Sequence, residues 1–127
     1  MEIGPKARGE IGPGLAPYLF IIDQVFVEFD FECRITHIRD GLHSKSSLHY
    51  VGDAIDVVWL PYTDLDLVLS EDIRLELYRR LNGFPQVAGI EGDYDIVFEK
   101  THFHIEYQPK TVDTKYREQV DQYLYGE

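Results

Sequence analysis

Basic residues are scarce in this sequence: 12 Lys and Arg stand against 23 Asp and Glu, a net charge of −11. Such a field repels phosphate backbones and anionic lipid, which argues against nucleic acid or a membrane surface as partner. Cysteine is nearly absent. Cys33 alone cannot close an intramolecular disulfide, so a secreted, disulfide-built scaffold is not expected, and the residue reads as a small core side chain. Long apolar runs are missing as well. The most apolar stretch, PYLFIIDQVFVEF at 17–29, is broken by Asp23, Gln24 and Glu28 and is too short to cross a bilayer, so no membrane insertion is expected. The opening MEIGPKARGEIGPG has no apolar segment behind its charges, unlike a signal peptide. With neither repeat nor low-complexity tract, the chain reads as one soluble domain over 1–127, made in the cytoplasm.

Residues 1–14, with four glycines and two prolines, suggest an extended or mobile lead-in. Apolar residues at 15, 18, 19, 22, 25, 26 and 29 form a helical stripe over roughly 15–28. Phe31–Ile38 reads as a strand, Arg39–Leu48 as a polar loop, and Ala54–Leu60 as a second strand stopped by Pro61. Ser70 is a candidate cap for a helix over 71–82, with Arg79 and Arg80 near its end and Gly83 beyond. Three short β-like runs follow, Gln86–Ile90, Asp95–Phe98 and His102–Tyr107, then a final helix over 114–124 capped by Asp113. This order predicts an α+β fold: a small antiparallel-rich sheet with helices packed on one side.

One stretch carries chemistry. SSLHYVGDAIDVVW at 46–59 contains Ser47-x-His49-x-x-Gly52-x-Ala54-x-Asp56, a His and an Asp running into an apolar strand. A second, KTHFHIEY at 100–107, carries His102 and His104 two residues apart, so a strand points both imidazoles to the same face. His49, Asp56 and one of these histidines would give zinc two nitrogens and one carboxylate oxygen. The fourth position stays open for water, as in a catalytic site. Other divalent ions would also fit such a donor set.

Together these motifs resemble the zinc D-alanyl-D-alanine carboxypeptidase family, grouped with lysostaphin-type peptidases and the hedgehog signalling domain. RITHIRDG is similar to the strand entering the family's arginine-bearing loop, and GIEGDYDIVFEKTHFHIEY to its C-terminal hairpin, so the resemblance covers about 15–107. It implies a hedgehog/DD-peptidase-like fold and zinc held by His49, Asp56 and His104. His102 corresponds to the histidine beside the metal-bound water, and Arg39 to the arginine that binds substrate or steadies the oxyanion. Ser47 corresponds to the serine that fixes the loop around the first ligand. Arg34, inside the strand, reads as structural. Many members carry an acid three residues before the last ligand; here Thr101 stands three before His104, whereas Glu99 stands three before His102. Two registers are therefore open: His104 as ligand with His102 moving the proton, or His102 as ligand with Glu99 as base. The first is preferred, because H-x-H is itself a pattern of the family.

The resemblance implies a zinc peptidase that hydrolyses D-amino-acid-containing stem or cross-link peptides of peptidoglycan, as a carboxypeptidase or an endopeptidase. A short chain without signal sequence or wall-binding module resembles a phage-encoded lysin, which meets the wall after release. The alternative is a non-catalytic zinc-stabilised binding or virion-associated module on the same fold. Of the other histidines, His37 reads as a packed strand residue and His43 as a solvated one. Trp59, Tyr50, Tyr94 and Tyr107 read as core or pocket wall, and the acidic run at 64–72 as the solvated start of a helix rather than a calcium loop.

Overall fold

A computed structural model describes residues 1–5, 7, 9–39, 54–60 and 66–108, the Arg39 side chain excepted. The elements are β1 (Glu2–Ile3), a 3-10 turn (Ala16–Tyr18), α1 (Leu19–Glu28), β2 (Glu32–Arg39), β3 (Ala54–Leu60), α2 (Leu67–Asn82), β4 (Tyr94–Phe98) and β5 (Phe103–Tyr107). They form the α+β layout expected: two helices on a five-stranded sheet ordered β1-β2-β3-β5-β4. β1 runs parallel to β2, and every other pairing is antiparallel. The start of the lead-in is extended: Glu2 and Ile3 pair with Arg34 and Ile35, and Arg34 Nη2 binds Glu2 Oε1 at 2.9 Å. Arg34 thus ties β1 to β2, the structural role its strand position suggested.

Both helices cover the same sheet face. Ile22, Val25 and Phe26 of α1 and Ile73, Leu77, Tyr78 and Leu81 of α2 are buried against Cys33, Ile35, Ile55, Val57, Trp59, Ile96, Phe103 and Ile105. Phe103 sits at the aromatic centre, with ring centroids 5.5 Å from Phe26 and 6.2 Å from Trp59. Trp59 and Tyr94 are core residues and Tyr107 packs partly buried against that core. α1 ends where Asp30 takes a left-handed conformation (φ 65°) and Phe31 N–H returns to Phe26 O at 2.9 Å.

Two expectations from sequence are corrected. α2 begins at Leu67, four residues early, because Asp66 is the cap: its carboxylate accepts from Leu69 N–H at 2.6 Å. Ser70 lies inside the helix, its hydroxyl donating back to Asp66 O at 2.9 Å, a bond that competes with capping. Gln86–Ile90 is not a strand. Gly89 adopts φ 81° and the chain turns on itself in a single Val87–Ile90 bridge. The helix expected over 114–124 lies outside the described residues.

The feature that shapes the other sheet face is a bulge in β2. Ile35 pairs with Val57, but His37 pairs with Asp56, so Thr36 is an extra residue in β2. Before it Cys33 and Ile35 point to the helices; after it Ile38 does, paired with Ile55 and packed on the core. His37 and Arg39 therefore take register positions on the face away from the helices.

Candidate active site

Strand register lines up the chemistry-bearing residues on that face. Ile55 and Val57 point into the core, so Asp56 between them points away; Phe103 and Ile105 do the same for His104. Asp56 pairs directly with His37 on one side and with His104 on the other, and His104 with Val97. One row thus crosses four strands as His37, Asp56, His104, Val97. The next row places Arg39 beside Ala54, which pairs with Glu106.

Asp56 is the centre of this row, and its side chain is only 10% exposed. His104 Nδ1 lies 2.7 Å from Asp56 Oδ1. His102, in the turn before β5, brings Nε2 to 4.0 Å from the same oxygen. The two imidazoles of the H-x-H motif therefore share a face, as their spacing predicted, and both face one carboxylate. Glu99 reaches His102 as well: Oε2 lies 3.1 Å from Nε2, while Thr101 Oγ1 stands 3.1 Å from Nδ1. Both nitrogens of His102 thus have neighbours, and the pairing with Glu99 aims the ring. The hairpin that carries these groups is closed by Glu99 N–H bonding to His102 O at 2.8 Å, with Lys100 in a left-handed conformation (φ 59°).

His37 differs from its expected place. Its ring is not packed in the core but 69% exposed, with Nδ1 3.7 Å from Asp56 Oδ2. The bulge causes this. The apolar spacing 33, 35, 38 breaks the two-residue period of a strand, and that break was the signal in the sequence.

His49, Ser47, His43 and Tyr50 lie outside the described residues, and Arg39 is placed by its backbone alone. Among the described residues no three His, Cys, Asp or Glu side chains already form a metal-holding group. The donor chemistry present nevertheless fits zinc, which takes imidazole nitrogen and carboxylate oxygen. Its bonds of about 2.0–2.2 Å set tetrahedral donors roughly 3.3 Å apart, between the 2.7 Å and 4.0 Å at which His104 and His102 face Asp56.

A cavity of about 720 Å³ lies elsewhere, beside α1 and α2. The arginines lining it are already paired, Arg80 with Glu28 and Glu76, and Arg79 with Glu76. Among the described residues no helix is long and apolar enough to cross a membrane. No protein-family model, curated protein or solved structure matches the chain.

Proposed function

We propose that the chain is a zinc peptidase of the D-alanyl-D-alanine carboxypeptidase type, hydrolysing D-amino-acid-containing stem or cross-link peptides of peptidoglycan. One observation carries the reading: Asp56 and His104, 48 residues apart, are register partners 2.7 Å apart, with His102 facing the same carboxylate. Those are the residues that the S-x-H-x-x-G-x-A-x-D and H-x-H motifs single out.

His49, Asp56 and His104 would hold the metal, which supplies a water of lowered pKa and polarises the scissile carbonyl. His104 is the closer imidazole to Asp56, which supports it as ligand and leaves His102 to carry the proton from water to the leaving amine. Glu99, at 3.1 Å, orients His102, as a third group orients the base in other hydrolases. Arg39, in register two residues beyond His37 on the same strand, would supply the fixed positive charge for a substrate carboxylate or oxyanion.

A second reading is a zinc-stabilised binding or virion-associated module without turnover. Thr101 at the position of the usual acid favours it, and so does the charge of −11, which opposes an anionic wall. Mass spectrometry of pentapeptide and cross-linked muropeptides, incubated with zinc-loaded protein, separates the readings. Loss of a terminal D-Ala establishes a carboxypeptidase; conversion of dimers to monomers, an endopeptidase. Unchanged muropeptides with zinc bound establish the module.

A further inference from the structure

We propose that His37 is a positioning residue for Asp56, bracing the second oxygen of its carboxylate from β2; the inference rests on the zinc-peptidase reading above. Asp56 is reached from both neighbouring strands. His104 on β5 takes Oδ1 at 2.7 Å, and His37 on β2 faces Oδ2 at 3.7 Å. The terminal torsion of an aspartate is broad, so an unbraced carboxylate rocks about its Cβ–Cγ bond. Partners on opposite sides, one to each oxygen, limit that rocking. Oδ1 is then turned toward His102 and His104, and Oδ2 is kept toward β2.

The bulged residue sets the tautomer of His37. Thr36 Oγ1 donates to the Asp56 carbonyl at 3.3 Å, so the hydroxyl oxygen faces His37 Nδ1, 3.3 Å away, as an acceptor. Nδ1 thus stands between two acceptors, Thr36 Oγ1 and Asp56 Oδ2, and the network assigns it the proton. An N–H turned toward a ligating carboxylate, here 3.7 Å from its oxygen, is the kind of outer partner that raises metal affinity by favouring one orientation of the ligand. The bulge is indispensable here: in an unbroken strand the position of His37 would point at the helices, with Cys33 and Ile35.

Because the ring is 69% exposed, replacing it opens no core cavity. The test uses the full chain with zinc or cobalt alone as probe. Zinc affinity is measured by competition with a chromophoric chelator for wild type, His37→Ala and His37→Asn, the last keeping an N–H near the position of Nδ1. His37→Ala is expected to bind zinc about 10–100-fold more weakly and to shift the visible bands of bound cobalt. His37→Asn is expected to recover most of the affinity, and the metal-free proteins to melt together. Unchanged affinity in His37→Ala, no recovery in His37→Asn, or a lower melting temperature of metal-free His37→Ala overturns the positioning role. Wild type that takes up no zinc overturns the zinc reading itself, and this inference with it.

Discussion

His104 and Asp56 face each other across the β3–β5 ladder, Nδ1 of one 2.7 Å from Oδ1 of the other. Asp56→Ala removes the centre on which His37, His102 and His104 converge. The variant is expected to lose zinc, and its kcat/KM to fall by more than the roughly 10–100-fold typical of outer partners. Leaving His104 unpaired costs about 1–3 kcal/mol, and circular dichroism should still report a native fold. Chelation of wild type should abolish hydrolysis and added zinc restore it. Normal turnover by Asp56→Ala would reject the zinc assignment.

His102 and Glu99 lie 3.1 Å apart, and kinetics can divide their roles. His102→Ala is expected to lower kcat by about 10²–10⁴, the range of general acid–base catalysis, with zinc retained. Glu99→Gln, which only loosens the aim of the ring, should cost much less. The opposite ranking, with zinc lost in His102→Ala, would place His102 among the ligands and make Glu99 the base.

Burial, with Asp23 adding to it, pushes the Cys33 thiol up to about 12. The unfolded thiol titrates near 8.5, so above that pH the unfolded chain releases a proton that the folded chain keeps. The thiol's contribution to stability is therefore intact below about pH 8.5 and falls by about 1.4 kcal/mol per pH unit as pH rises toward the folded value. Urea unfolding at pH 8 and pH 10 should show a steeper loss in wild type than in Cys33→Ala. Native protein at pH 8 should resist thiol reagents until it is unfolded.

Gly14 lies under the Tyr107 ring, where an added Cβ would stand 2.0 Å from Cδ2. That ring cannot retreat freely, since it packs on Tyr94 with centroids 4.9 Å apart, and the Tyr94 hydroxyl donates to Gly14 O at 2.6 Å. Gly14→Ala is expected to destabilise the fold by about 1–3 kcal/mol, as overpacking does. Equilibrium denaturation measures it, and an unchanged midpoint would mean that the strap before α1 moves without cost.

The sequence made the fold class legible because its strongest signals are local. Ala54–Leu60 is an apolar run bounded by polar chain, and β3 occupies those residues. The stripe from Leu15 gives the 3-10 turn and α1. Errors arose where two local signals compete. Asp66 and Ser70 are both capping residues, and only the structure shows Asp66 on the Leu69 N–H while Ser70 bonds backward. Val87 and Ile90 read as β-formers, but Gly89 folds them onto each other. The two-residue period shows that His102 and His104 share a face, but their pairing with Asp56 was implied only by the motif resemblance, because the register between strands 48 residues apart is written in neither strand alone. His37 was misplaced because that rule was carried through Thr36, where one extra residue reverses it.

That extra residue also uncouples chain length from the order of the strand. With Thr36 deleted, His37 would follow Ile35 directly, and plain alternation would keep Ile35 and Ile38 toward the helices and His37 opposite Asp56. Thr36 acts as a leap day acts in a calendar: it absorbs one count, and the days on either side keep their places. Its loss would remove only its own hydroxyl, which reaches the Asp56 carbonyl and His37 Nδ1. A deletion at this one position should therefore spare the fold, whereas pairing every residue without the bulge would exchange all later side chains between the two faces.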